Sequence, residues 1–156
     1  MGPACTFYSL QHRLRAWRLG AVENRTRAAA QIGGIVMKVT LSWPDASLSP
    51  NRKNGRHWGA VHAAKGKRLA DARFLALTEM RKSGYVPPTG TLALVVTFHA
   101  PDKRRRDLDN LLASMKADFD GLSQALGVDD QLFNPLTLRR GEQVKGGAVV
   151  LEVTHE

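Results

Sequence analysis

The chain has 156 residues, about the size of one globular domain, which argues against a multi-domain machine. Hydrophobic residues make up 43% and charged residues 24%, so the chain can build a core, which argues against wholesale disorder. The one cysteine, Cys5, excludes an intrachain disulfide framework and a cysteine-based zinc site. No apolar run approaches the roughly 18 residues that a membrane span needs. We therefore expect a soluble protein of a reducing, cytoplasmic compartment.

Basic residues are in excess and are unevenly distributed. Lysine and arginine number 23 against 14 acidic residues, which gives a net charge of +9 and a pI near 10.3. This surplus favours a polyanionic partner, with solubility as the simpler alternative. Residues 1–36 hold five arginines and one acid. Because a regular strand pattern begins only at Met37, we predict a basic, poorly ordered extension at 1–36 and a folded domain at 37–156.

The first half of that domain reads as a strand, a loop and a helix. Residues 36–43 mix β-branched residues with near-alternation of polarity, and Pro44 should end the strand. Residues 45–56 are rich in Asp, Ser, Pro, Asn and Gly, which is typical of a loop. Apolar residues then recur at helical spacing over 57–82, which predicts an amphipathic helix with a basic outer face. We assign to that face Lys65, Lys67, Arg68, Arg73 and Arg81.

The second half predicts one more helix and three strands. The predicted elements are a strand at 92–98, a helix at 111–126, and strands at 136–144 and 148–154. Gly127 is placed to cap the helix, and Lys145-Gly146-Gly147 is a hairpin signal between the last two strands. The order β-α-β-α-β-β predicts a single α+β domain with a small mixed sheet and two main helices.

The most informative segment runs from Lys103 to Asn110, with the sequence KRRRDLDN. In the simplest interpretation it is a solvated loop in which arginines neutralise carboxylates and either Asp107 or Asp109 caps the following helix. Capping needs only one of these aspartates, however, and it does not account for the second acidic pair, Asp129-Asp130.

Metal chemistry offers a functional interpretation of the same residues. Magnesium prefers oxygen ligands and commonly takes one or two carboxylates, with phosphate and water completing its shell. Asp107 and Asp109 could share an ion if the chain is extended at the first and turns helical near the second. Such an ion would polarise a phosphodiester and stabilise charge on its oxygens, while the adjacent arginines hold the phosphate backbone. Lys116, two helical turns further on, could offset transition-state charge, although a lone helical lysine is commonly just exposed.

Other phosphate chemistries lack their sequence signals. A haloacid-dehalogenase-type phosphatase has its aspartates directly after an apolar strand, whereas eight residues separate Phe98 from Asp107. The chain has no P-loop, and its histidines lack zincin spacing or an adjacent nucleophile.

In these motifs, most of the segment 37–156 resembles the RusA-type crossover-junction endodeoxyribonucleases, a family often encoded by prophages. The resemblance is strongest at 104–111, and it continues through Lys116, Asp120-Gly121-Leu122 and Gly127-Val128-Asp129-Asp130. It implies a homodimeric, magnesium-dependent enzyme of DNA recombination and repair that resolves four-way (Holliday) junctions by paired nicks, with manganese as an alternative ion. The implied catalytic and metal-binding residues are Asp107, Asp109 and Asp130, with Asp129 as the neighbouring acid and Lys116 as the functional lysine.

The lysine departs from the family pattern. In the best-known form of the motif it follows the second aspartate by about one turn, where this chain has Ala113. Lys116 fits only with roughly one extra helical turn.

A straight helix over 109–126 would hold its ends about 26 Å apart. Asp130 could then join Asp107 and Asp109 only if the chain doubles back. We therefore hypothesise an antiparallel, two-fold dimer in which Asp129 or Asp130 of one chain completes the site of the other.

The sequence thus predicts a metal-dependent, structure-selective DNA endonuclease. The alternatives are a catalytically silent DNA-binding module, in which the carboxylates are caps and arginine partners, and a metal-dependent phosphatase acting on small esters. The residues expected to bind backbone phosphates are Arg52, Lys53, Arg56, Arg104, Arg105, Arg106, Arg139 and Arg140.

Overall fold

The structure is a computed structural model that describes residues 35–50 and 58–154, which belong to one compact unit. Residues 1–34 of the predicted extension lie outside these ranges, so its poor order stays a prediction. So does the phosphate-binding role of Arg52, Lys53 and Arg56. None of the helices in the described part of the chain is both long and apolar enough to cross a membrane.

The fold is the predicted α+β architecture, with a mixed sheet and helices packed on it. Its strands are β1 (Ile35–Ser42), β2 (Leu92–His99), β3 (Phe133–Arg140) and β4 (Ala148–Thr154). Its helices are α1 (Trp58–Ser83), α2 (Leu108–Ser114) and α3 (Lys116–Leu126). Short 3₁₀ turns occupy Ala46–Leu48 and Asp130–Leu132.

The four strands lie in the order β1-β4-β2-β3. β4 pairs antiparallel with both β1 and β2, whereas β3 pairs parallel with β2. The predicted hairpin between β3 and β4 is therefore wrong, because β2 separates them. The turn signal itself is real, since Gly146 and Gly147 both adopt positive φ. The apolar β4 takes a central position, and the more exposed β3 takes an edge.

The position of β3 also differs from the prediction. It begins at Phe133 rather than at residue 136, and it contains Pro135. Proline lacks an N–H for the ladder, so its place on an edge strand, with only one neighbour, is the one that a sheet tolerates.

The core lies between one face of the sheet and the helices. On β1 the side chains of Met37, Val39 and Leu41 are buried, while Lys38 and Thr40 between them are exposed. This alternation is the period of a strand with one covered face. Helices α1 and α3 cross closely, because a Cβ at Gly121 would meet the backbone carbonyl of Leu69 and would lie 3.1 Å from the Cβ of Ala72.

The predicted helix at 111–126 is interrupted. Met115 has φ −98° and ψ 7°, and its N–H donates to the Leu112 carbonyl, so the helical ladder stops there. Met115 is fully buried, which indicates that the break turns this side chain into the core. Helix α3 then ends as predicted at Gly127, whose φ of 68° is the left-handed conformation of a C-terminal glycine.

A buried ion pair joins the two long helices to the sheet. The Nε and Nη2 atoms of Arg68 donate to Oδ2 of Asp118 at 3.1 and 2.8 Å. Its Nη1 donates to the carbonyls of Ser42 and Trp43, both at 3.1 Å. Arg68 is only 7% exposed and Asp118 only 1%. The prediction that Arg68 belongs to the exposed basic face of α1 is therefore wrong.

Desolvation dominates the electrostatics of this pair. Burial raises the pKa of Asp118 above its usual range, and the hydrogen bonds from Arg68 oppose that rise. The pair therefore depends on both partners, since either charge alone would be buried without compensation.

We predict that Arg68→Met destabilises the fold by about 3–5 kcal/mol, because it leaves the Asp118 carboxylate buried and unpaired. The double variant Arg68→Met/Asp118→Leu should lose less than the sum of the two single variants, since no lone charge remains. Urea denaturation gives the free energies of unfolding.

The matched control is Lys82→Met, which breaks the exposed 2.8 Å pair between Lys82 and Glu79. It should cost less than about 1 kcal/mol. An equally small loss for Arg68→Met would contradict a stabilising role for the buried pair.

Candidate active site

The acidic motif lies where the chain leaves β2 and enters α2. Asp107 is extended, with φ −81° and ψ 135°, and the helix begins at the next residue. Asp109 lies in the first helical turn, and both carboxylates are exposed. The backbone therefore has the extended-then-helical form under which the two side chains could share an ion.

Asp107 occupies the N-cap position without acting as a cap. Its side chain accepts no hydrogen bond from a helical N–H, and its recorded partner is the side-chain amide of Asn110 at 3.4 Å. Asp129 behaves differently, because its Oδ1 accepts from the N–H of Gln131 at 3.0 Å and caps a 3₁₀ turn. The predicted capping role is therefore wrong for Asp107, and a side-chain cap is observed instead at Asp129, for which no cap was predicted.

Arg106 is held within the loop that precedes the motif. Its Nη2 donates to Oδ2 of Asp102 at 2.9 Å, and its Nη1 donates to the Arg104 carbonyl at 3.1 Å. Its guanidinium also lies 5.4 Å from the centre of the Trp43 ring, a cation–π distance. These contacts fix the loop directly before Asp107.

Asp102 is the anionic centre of this loop. Hydrogen bonds from the Arg106 side chain and from the Arg104 N–H lower the pKa of Asp102 from 3.8 to about 2. The carboxylate therefore stays ionised, and the loop stays cross-linked, across the range in which proteins are usually folded.

The ring of Trp43 packs beneath Arg106 of the loop that precedes the acidic motif. The same ring packs edge-on against Phe98 at 6.3 Å between centroids. A Cβ on Gly147 would lie 2.9 Å from the Cβ of Trp43 and 3.0 Å from the Cδ of Pro101, so only glycine fits there. The Trp43 carbonyl accepts a hydrogen bond from Arg68, which links Trp43 to the buried ion pair.

Other basic side chains lie along the same end of the sheet. The parallel register aligns Thr97 with Arg139 and Phe98 with Arg140, so both arginines lie beside the end of β2. Both are exposed, as are Arg104 and Arg105. The following loop is held along β2 by hydrogen bonds that include Val144 N–H to the Ala100 carbonyl at 3.1 Å.

Lys116 lies between two carboxylates at the start of α3. Its Nζ is 3.5 Å from Oδ1 of Asp120 and 3.7 Å from Oδ2 of Asp130, and the side chain is 74% exposed. The chain therefore doubles back after α3 and returns Asp130 to the beginning of that helix. The straight helix over 109–126, on which the separation of about 26 Å was based, does not form, so that separation no longer argues that Asp130 must come from a second chain. The continuous helical face that would join Asp109 to Lys116 is absent as well.

The three predicted catalytic carboxylates do not form one group within the chain. In residues 35–50 and 58–154, no three Asp, Glu, His or Cys side chains lie together in a way that could hold a metal ion. Asp107 and Asp109 lie at the start of α2, whereas Asp130 lies in the 3₁₀ turn after α3 and contacts Lys116 of that helix.

Several supporting residues were missed from the sequence. Arg68 shares a four-residue spacing with Ala72 and Ala76, the buried stripe of α1, and this spacing was the available signal. Asp118 follows the buried Ala117 on the packed side of α3. The sequence gives no comparable signal for Asp102. Its partner is Arg106, which the motif assigned to phosphate binding, and this hid the pairing between the two.

Comparison with known proteins adds independent information. No family model matches the chain. An uncharacterized protein of Xylella fastidiosa is 34% identical over 133 residues, covering 81% of this chain and 83% of the relative. The crossover junction endodeoxyribonucleases RusA of Escherichia coli and of Enterobacteria phage 82 are each 33% identical over 120 residues. These matches cover 74% of this chain and 92% of each relative.

We predict that Arg106→Gln raises the pKa of Asp102 from about 2 toward its usual 3.8, because the strongest hydrogen-bond donor to the carboxylate loses its charge. Since the folded pKa lies below the usual value, the stabilisation from this contact is complete above pH 3.8 and is lost as the pH falls toward 2. A carbon-detected NMR titration of the Asp102 carboxyl measures the midpoint. Arg105→Gln is the control and should leave that midpoint in place.

Proposed function

Because this chain belongs to the RusA family of crossover junction endodeoxyribonucleases, we propose that it resolves four-way DNA junctions by paired nicks, in DNA recombination and repair. The observation that carries the proposal is the exposed Asp107 carboxylate, which stands at a helix start without capping it. It lies beside a loop of arginines, so groups suited to a metal and to phosphate are adjacent.

Asp107 and Asp109 are the proposed protein ligands of a divalent cation, Mg²⁺ with Mn²⁺ as an alternative. The residues fit such an ion, since they present carboxylate oxygens on an extended-then-helical segment. When bound, the ion would supply Lewis acidity at the scissile phosphate and would stabilise charge on its oxygens. The protein's own contribution is to fix the two carboxylates, which the contacts of Arg106 with Asp102 and Trp43 support.

Exposed arginines would bind the DNA backbone around that ion. Arg104, Arg105, Arg139 and Arg140 are exposed at one end of the sheet and are the proposed phosphate contacts. Arg106 already donates within its own loop, so its proposed role is chiefly to orient the segment that carries Asp107. The positive charge would also speed association with DNA.

Lys116 and Asp130 are the proposed second part of the site. A two-fold homodimer would bring Asp130 of one chain, with Asp129 beside it, to the Asp107–Asp109 pair of the other chain. What supports this arrangement is that, in residues 35–50 and 58–154 of one chain, Asp130 does not group with Asp107 and Asp109 as side chains that could hold a metal. Lys116 would then offset negative charge on the phosphate. A dimer also matches a four-way junction, which presents two equivalent strands.

We predict that Asp107→Asn and Asp109→Asn each lower the rate of junction cutting by at least about 100-fold, because each removes an anionic ligand of the cation. Binding to a four-way junction should be retained. Nicking of a labelled junction with Mg²⁺ measures the rate, and a gel-shift assay with a chelator measures binding. Asp71→Asn, at an exposed carboxylate of α1, is the matched control and should cut normally.

A parent protein that binds junctions and never cuts them, with Mg²⁺ or Mn²⁺, would favour the silent DNA-binding module instead. Turnover of a chromogenic phosphate ester without junction cutting would favour the small-substrate phosphatase.

We predict that a mixture of Asp109→Asn and Asp130→Asn chains regains nicking, although neither variant cuts alone. In a mixed dimer, one site would combine the intact Asp107–Asp109 pair of one chain with the intact Asp130 of the other. Single nicks in a plasmid that extrudes a cruciform measure the recovery. The control mixture of Asp107→Asn with Asp109→Asn should stay inactive. No recovery in the first mixture would show that each chain completes its own site.

A further inference from the structure

The first ten residues of α1 bury no side chain. The buried residues of this helix are Arg68, Ala72 and Ala76, so the segment 58–67, about 15 Å long, lies outside the core. Packing of an apolar face therefore does not explain the large side chains that this segment carries.

An aromatic stack occupies that segment. Trp58 is 78% exposed, the most exposed of the large hydrophobic residues in the described ranges. Its ring lies against the ring of His62, one helical turn away, with 5.1 Å between centroids and 15° between planes. His62 supports one face of the indole, so Trp58 presents a flat aromatic surface whose orientation is already restricted.

The charge around the stack favours an anionic partner. Between Trp58 and Ala70 the chain has no acidic residue, and Lys65 and Lys67 are exposed there. Lys65 lies seven residues after Trp58 and so projects from nearly the same face of the helix. Gly66, beside it, leaves open space where a side chain would stand. An exposed indole next to a lysine is a combination that binds an unpaired base together with its phosphate.

We propose that Trp58, supported by His62, is a stacking platform for an unpaired base of DNA, with Lys65 contacting an adjoining phosphate. This inference rests on the proposed junction-cutting function and assigns the base to the branch point, where base pairs open more readily than within an arm. Stacking on an aromatic side chain contributes about 1–3 kcal/mol per base, equivalent to about 5–150-fold in affinity.

The test compares binding of a four-way junction with binding of a linear duplex of the same sequence, with a chelator present so that nothing is cut. Trp58→Ala should weaken junction binding by about 5–150-fold and leave duplex binding within twofold, while Trp58→Phe keeps most of the affinity. Phe74→Ala is the matched control, because Phe74 is also exposed, at 69%, on the opposite side of the same helix. It should change neither affinity. Thermal melting confirms that each variant is folded.

A second measurement locates the base. A 2-aminopurine at the branch point should change its fluorescence when the parent protein binds and should not change with Trp58→Ala, whereas a probe within an arm responds to neither. Unchanged junction affinity in Trp58→Ala, or an equal loss on junction and duplex, would overturn the platform. These outcomes do not depend on cutting, so they are distinct from a failure of the nuclease proposal, which would appear as a parent that never nicks.

Discussion

The buried contact between Arg68 and Asp118 is the interaction on which the rest of the structure depends. One guanidinium joins α1 to α3 and also satisfies two carbonyls at the end of β1, where the strand gives way to a loop. A charged pair in this position contributes more to the specificity of the packing than to the net free energy of folding. The reason is that its hydrogen bonds are satisfied in only one arrangement of the three elements. It therefore sets how the helices lie on the sheet.

The same contact reaches the candidate site through Trp43. Its carbonyl accepts from Arg68, and its ring lies under the guanidinium of Arg106, which in turn holds Asp102. The loop before Asp107 is thus connected to the core by hydrogen bonds and aromatic packing. Such support is what a site needs if its carboxylates are to hold their geometry when an ion or a phosphate approaches.

Much of the fold followed from local sequence signals, and the errors have physical causes. Three local patterns were sufficient to predict the elements they belong to: the alternation of the strands, the helical period of α1 and the glycine after α3. The break at Met115 was missed because the apolar spacing continues through it. The predicted hairpin was wrong because strand order depends on which strand buries more surface. Arg68 was assigned to the exposed face because it is charged, although its spacing from Ala72 and Ala76 places it on the buried face. For the candidate site, the extended-then-helical backbone at Asp107 and Asp109 follows from the local sequence, whereas the position of Asp130 depends on how the chain returns after α3.

The interruption at Met115 has a consequence for how this enzyme family can vary. Because α2 and α3 are separate helices, the chain between the aspartates and the lysine is not bound to a fixed number of residues. We expect an insertion of about one turn at this joint to leave the packing of α3 against α1 in place. The proposed role of Lys116 is therefore compatible with its position further along the chain than the spacing that the family resemblance implies, and at that position it lies beside Asp120 and Asp130.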